Sequence, residues 1–148
     1  MALTDETIST LTEAINKIIE SSLTESVLKR LDSFGYIPSE NDVFAIGFGV
    51  QKVENIIKND CNVTEIPEGL VCHAVDMVCG EFLSIKYRTG QLELSSLDLD
   101  GSLASVTVGG ASVSFDNNTS DDGKFNALVS VLIGSGRGEF SCYRKIKW

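Results

Sequence analysis

Apolar side chains recur every three or four residues along five stretches of the chain, the spacing typical of helices that bury one face. The clearest series is Val43, Ile46, Val50, Val53 and Ile57. The spacing predicts an N-terminal helix within residues 1–22 and further helices over about 24–34, 40–58, 67–89 and 121–133. Residues that begin or end helices support these limits, namely Thr4, Ser39, Pro67, Gly35, Gly90 and Gly134.

The pattern changes after the fourth helix. Residues 91–101 are polar and acidic and predict a connector, whereas 105–115 alternate β-forming and small residues around Gly109 and Gly110, which predicts a β-hairpin. Because a two-stranded ribbon is marginally stable in water, we expect it to project or to pair with a neighbouring subunit. The predicted fold is mainly α: a small helical bundle with a projecting β-hairpin and an extended C-terminal arm.

Length and composition indicate one domain with arms. The chain has 148 residues, of which 43% are hydrophobic, enough for one ordinary core. We expect an N-terminal helix in 1–22, a main domain in 23–136 and a C-terminal arm in 137–148. No apolar run approaches the roughly 18 residues that cross a bilayer, and the first residues lack the features of a secretion signal. The protein is therefore expected to be made inside a cell and to have no membrane partner.

The last twelve residues reverse the charge of the rest. Four cations face one acid, Glu139, giving this arm a net charge of +3 in a chain of net charge −9. Phe140, Cys142 and Ile146 alternate with polar residues, which suits an extended strand that adds to a partner's sheet edge. A solubilising terminus is the alternative. Residues 134–138, rich in glycine, are interpreted as a flexible hinge before the arm.

Candidate catalytic groups are few. His73 adjoins Cys72, but neighbouring helical residues point about 100° apart, so a shared proton is disfavoured. Cys72 and Cys79 lie two turns apart on one face without further metal ligands, and we interpret them as structural thiols. Asp76 and Glu81 fall on different helix faces. The sequence therefore predicts neither an enzyme nor a bound metal or cofactor.

Three motifs together resemble a known family. IPEGL at 66–70, VDMVCGEFL at 75–83 and KYRTGQL at 86–92 are similar to the central helix of tailed-bacteriophage head–tail connector (adaptor) proteins. The predicted hairpin at 105–115 and the terminal YRKIKW at 143–148 follow in the same order. The resemblance runs from about Val27 to the end of the chain, and the first helix lies outside it.

The resemblance implies a structural virion protein. Such proteins form a closed ring of about a dozen copies beneath the portal, at the neck of the virion, through which DNA passes without specific binding. The implied partners are the portal protein, neighbouring copies and a tail-side neck or terminator protein, with assembly in the bacterial host cytoplasm. The implied portal-binding residues are Arg137, Phe140, Tyr143, Arg144, Lys145, Ile146, Lys147 and Trp148. The hairpin residues facing a neighbouring subunit or the tail would be Val106, Val108, Gly109, Gly110, Val113 and Phe115.

Two other functions stay open. The chain could be a small helical interaction module that binds a single protein partner through its basic C-terminal tail. A thiol or metal hydrolase that uses Cys72, His73 and Asp76 is the third possibility, which the divergence of the Cys72 and His73 side chains disfavours.

Overall fold

Seven α-helices, joined by loops and single turns of 3₁₀ helix, make up the described part of the chain. The computed structural model describes residues 3–17, 19, 21–106 and 120–146. The α-helices are α1 (Asp5–Asn16), α2 (Thr24–Ser33), α3 (Val43–Cys61), α4 (Val71–Arg88), α5 (Leu99–Val106), α6 (Asp121–Ile133) and α7 (Phe140–Tyr143). The 3₁₀ turns span Glu40–Asp42, Glu68–Leu70, Leu94–Ser96 and Arg137–Glu139. No strand occurs within these residues, so the mainly α prediction is confirmed there.

Helix α4 occupies the centre and packs against α2, α3 and α6. Its inward face consists of fully buried side chains, Val78, Cys79, Phe82 and Leu83 among them. At Gly80 a side chain could not be accommodated, because a Cβ there would lie 2.8 Å from Leu132 Cβ. The glycine therefore lets α4 and α6 approach more closely than any other residue would allow.

Helix α1 belongs to the same core as the rest of the bundle. Ile8, Leu11 and Ile15 are buried where α1 packs against α2 and α3. The Thr4 hydroxyl accepts a hydrogen bond from the Thr7 backbone N–H at 3.2 Å, which confirms Thr4 as the N-cap. The first helix therefore contributes to folding together with the main domain.

A buried carboxylate fixes the start of α3. Asp42 accepts hydrogen bonds from the Tyr36 hydroxyl at 2.7 Å and from the Ser39 backbone N–H at 3.1 Å. Lys86 Nζ of α4 lies 2.7 Å from Asp42 Oδ1. Burial, followed by the hydrogen bond to Asp42, raises the pKa of the Tyr36 hydroxyl. The N-terminal end of α3 is thus tied to α4 by a largely desolvated ion pair.

The structure contradicts the first residues of the predicted hairpin. Ser105 and Val106 lie in α5, so the predicted strand start is wrong there, while Val108, Gly109, Gly110, Val113 and Phe115 fall outside the described residues. Asp98 Oδ1 accepts a hydrogen bond from the Gly101 N–H at 3.1 Å, as a helix cap does. Leu99 and Leu103, one turn apart, are buried, and α5 packs against α6. Helical burial of these leucines outweighs the local alternation of small residues.

Candidate functional site: the C-terminal segment

The C-terminal segment, defined here as residues 137–146, is helical before it becomes extended. A 3₁₀ turn at Arg137–Glu139 leads into α7, and the backbone is extended at Arg144. The strand predicted from Phe140, Cys142 and Ile146 is therefore wrong over Phe140–Tyr143. The physical reason is Phe140, whose side chain is 1% exposed. A helical turn places this ring in the core, which an exposed strand would not do.

The extended part of the segment covers the C-terminal end of α3. The last carbonyls of a helix have no partner within the helix. Here the Lys145 backbone N–H donates to the Cys61 carbonyl at 2.8 Å, and Arg144 Nε donates to the Asp60 carbonyl at 3.1 Å. Asn62, in the left-handed conformation at φ 54°, donates from Nδ2 to the Lys145 carbonyl at 3.0 Å. The cation of Arg144 also complements the negative end of the helix dipole.

Helix α7 is fixed to α3 and to the 3₁₀ turn before α4 by two further contacts. Cys61 Sγ lies 3.6 Å from the Phe140 carbonyl oxygen, to which it donates. The half-buried Tyr143 ring lies over Gly69, where any Cβ would overlap the tyrosine hydroxyl. The base of the C-terminal segment is therefore part of the folded body.

The turn before the segment is held by the chain's single histidine. His73 of α4 places Nδ1 2.8 Å from Ser135 Oγ and Nε2 3.0 Å from Glu139 Oε2. Gly136 has φ 70°, and a Cβ there would overlap the His73 ring. Residues 134–138, predicted as a flexible hinge, form a turn that a side chain of α4 holds on both sides of Gly136.

The outer surface of the segment is basic. Arg137, Arg144 and Lys145 are exposed, and the Ile146 side chain is 77% exposed. Lys147 and Trp148 lie outside the described residues. Of the predicted portal-binding residues, Phe140 is unavailable for a partner because it is buried, and Arg144 and Lys145 also cap α3. An acidic partner could contact the exposed cations and Ile146.

An open groove of about 660 Å³ runs beside this surface. It separates the α3–α4 connection from the C-terminal segment and is lined by Val63, Thr64, Glu65, Ile66, Pro67, Glu68, Cys142, Tyr143, Arg144 and Lys145. Acids line one wall and cations the other. This arrangement suits an extended peptide with mixed charges better than a small apolar ligand.

The structure does not assemble the candidate thiol site. The His73 nitrogens contact Ser135 and Glu139, and the Asp76 carboxylate pairs with Arg30 Nε at 2.9 Å. Cys79 is buried, which raises the pKa of its thiol. Within the described ranges, no three His, Cys, Asp or Glu side chains are grouped to hold a metal ion.

Hydrogen bonds link Ser135, His73 and Glu139 in series, and these are the residue types of a serine hydrolase triad. In the serine hydrolase arrangement a buried carboxylate orients the imidazole through Nδ1 and the serine contacts Nε2. Here the two nitrogens are exchanged, and the Glu139 side chain is 58% exposed. We interpret the two hydrogen bonds of His73 as a structural link between α4 and the C-terminal segment.

Sequence reasoning missed two features. The sequence suggests His73 only as a candidate catalytic base, and its position opposite a glycine-rich turn is visible only in three dimensions. Phe44 and Phe48 are 69% and 55% exposed and their rings stack. The sequence does indicate this exposure, because both phenylalanines fall outside the buried apolar series of α3 and are spaced four residues apart.

Comparisons of the chain with known protein families, with curated proteins and with solved structures found no match. The geometry by itself defines a helical bundle whose basic C-terminal segment is anchored at its base and exposed at its tip. No described helix is long and apolar enough to cross a membrane.

Proposed function

We propose that the chain is a head–tail connector of a tailed bacteriophage, a structural protein that forms a ring between the portal and the tail and lets DNA pass. The proposal rests on one observation: a basic C-terminal segment whose base is built into the helical core and whose tip is exposed. The portal protein is proposed as the partner because of the resemblance to head–tail connector proteins. The motifs at 66–70, 75–83 and 86–92 and the terminal YRKIKW carry that resemblance.

In this proposal the segment has two parts with different roles. Phe140 and Tyr143 hold the base against α3 and Gly69. Ile146, followed by Lys147 and Trp148, meets the portal, and an exposed aliphatic residue beside cations and a tryptophan has the composition of a binding hot spot. The cations select an acidic surface. The acidic remainder of the chain repels the phosphates of passing DNA and so prevents adhesion.

The segment between α5 and α6 supplies the contacts with neighbours. We assign Val108, Gly109, Gly110, Val113 and Phe115 to a surface that faces the next copy or the tail. Deleting residues 108–113, which lie outside the described helices, is expected to abolish incorporation into connectors while the monomer stays folded. Virions that assemble normally with this deletion would contradict the assignment.

The proposed function is tested by reconstitution with the portal protein encoded nearest the gene. Electron microscopy of the mixture is expected to show a ring of this chain added below the portal ring. A gene located away from capsid and tail genes, or a portal ring that gains no density, would contradict the proposal.

A helical interaction module with a single partner is the second candidate. The groove between residues 63–68 and 142–145 favours it, because a peptide partner could fill that groove without any ring. Stoichiometry separates the two functions: a one-to-one complex indicates the module, whereas several copies in a closed ring indicate the connector.

A further inference from the structure

Phe44 and Phe48 form an exposed aromatic pair on α3. Their ring centroids are 6.4 Å apart with planes 20° from parallel. Since a phenylalanine buries about 150–250 Å² in a core, their exposed fractions leave about 200–300 Å² of aromatic surface in solvent. Ile37 and Ile85 are also exposed, at 43% and 46%. The stacked pair is therefore a candidate interaction surface, since exposed apolar patches on folded proteins are often functional.

Charges of opposite sign flank the aromatic pair. Phe44, Phe48 and Lys52 follow one another at intervals of four residues, which places them in one row along the surface of α3. Glu40 lies four residues before Phe44, in the 3₁₀ turn that leads into α3, and extends this row at its N-terminal end. Glu40 is exposed, and Lys52, although paired with Glu81 at 3.2 Å, keeps 47% of its side chain exposed. The row therefore reads acid, aromatic, aromatic, base.

Such a row is complementary to itself when reversed. If two copies place their α3 helices antiparallel about the midpoint between Phe44 and Phe48, each Glu40 faces the Lys52 of the other copy. Each Phe44 then faces the Phe48 of the other copy. Rows of residues four apart pack together at about −50° in the commonest class of helix contact, so the arrangement has a standard geometry.

We propose that two copies of this chain associate through the Phe44–Phe48 face as a symmetric dimer. A two-fold contact uses the same patch on both partners, which is what the antisymmetric charges provide. The apolar area is about a third of the roughly 800 Å² per partner of a standard interface, so the dimer is reversible. The dimer concerns the free protein and does not depend on the proposed connector function.

Sedimentation velocity of the full chain tests the dimer without any portal protein. Wild type is expected to shift from monomer to dimer over a roughly hundredfold range of concentration, as mass action requires. The variant with both Phe44→Ala and Phe48→Ala is expected to stay monomeric. Ile146→Ala, which removes another exposed apolar side chain, is the matched control and is expected to dimerise like wild type.

A charge-exchange experiment tests the antiparallel pairing. E40K and K52E each place like charges opposite one another in their own dimers, and each is expected to weaken the dimer at least about fivefold. An equimolar mixture of E40K and K52E restores both opposite-charge pairs and is expected to form mixed dimers. Circular dichroism confirms that both variants are folded.

Three results would overturn the proposal: a wild-type chain that stays monomeric over the whole range, a double alanine variant that dimerises unchanged, or a mixture that associates no better than either variant alone. The first two would assign the face to a different partner or to none, and the third would exclude the antiparallel arrangement.

Discussion

The two ends of α3 differ in what covers them. At its C-terminal end, the carbonyls of Asp60 and Cys61 are covered by the chain's own C-terminal segment, and Phe140 is buried close by. At its N-terminal end, Asp42 is paired with Lys86, but Phe44 and Phe48 in the first two turns of the helix are exposed to solvent.

The two ends differ in which groups contact them. The C-terminal end needs hydrogen-bond donors, because unpaired helix carbonyls carry a desolvation cost, and the chain supplies them from Arg144 and Lys145. At the N-terminal end the Asp42 carboxylate is paired with Lys86 inside the protein, and the exposed surface is the Phe44–Phe48 pair with Glu40 and Lys52 beside it. Substitutions of the residues that cover the C-terminal end should therefore change stability, whereas substitutions of the exposed Phe44 and Phe48 should change association.

The largest expected effect compares two phenylalanines. Phe140→Ala removes a fully buried ring and is expected to lower the free energy of unfolding by about 3–5 kcal/mol. Phe48→Ala removes a ring that is 55% exposed and is expected to change it by less than about 0.5 kcal/mol. Urea denaturation measures both. Equal losses of unfolding free energy would contradict the burial of Phe140 and the exposure of Phe48.

Two lysines test the anchoring of the N-terminal end. Lys86→Met leaves the buried Asp42 carboxylate without its cation and is expected to cost about 3 kcal/mol of unfolding free energy. Lys29→Met breaks an exposed pair with Glu25 and is expected to leave the melting temperature nearly unchanged. Thermal melts of the two variants should be well separated. If Lys86→Met is as stable as wild type, Asp42 is not dependent on this ion pair.

Two glycines test the turn that leads to the covered end. Gly136→Ala forces a Cβ into the left-handed region and against His73, and is expected to destabilise by about 1–3 kcal/mol. Gly138 has open space around its Cα, so Gly138→Ala is expected to be neutral or stabilising by under about 1 kcal/mol. Denaturant midpoints compare the pair. A neutral Gly136→Ala would mean that His73 does not pack on the turn.

The mildest test of the covered end uses the chemical reactivity of the native cysteines. Cys72 and Cys142 are exposed, whereas Cys61 lies under the C-terminal segment and burial raises the pKa of its thiol. Brief alkylation followed by mass spectrometry is expected to label Cys72 and Cys142 first, with Cys61 and Cys79 protected. Labelling of Cys61 as fast as Cys142 would show that the segment leaves α3 in solution.

Periodicity predicted most of the helices, and tertiary contacts explain what it missed. The helix predicted over 121–133 matches α6, and those over 24–34, 40–58 and 67–89 match α2, α3 and α4 to within a few residues. Helix α5 was missed because eight residues give little periodic signal, and Leu99 and Leu103 acquire their meaning only against α6. The burial of Phe140 could not be foreseen, since its cavity is formed by residues far away in the chain.

The exposed tip of the C-terminal segment offers the most direct test of the proposed function. Ending the chain at Lys145 removes Ile146, Lys147 and Trp148 but keeps Phe140 and the contacts of Arg144 and Lys145 with α3. Binding of this shortened chain to the portal protein is measured beside wild type, with melting temperatures as the control. The account predicts an unchanged melting temperature and lost portal binding. A shortened chain that binds the portal as tightly as wild type would contradict it.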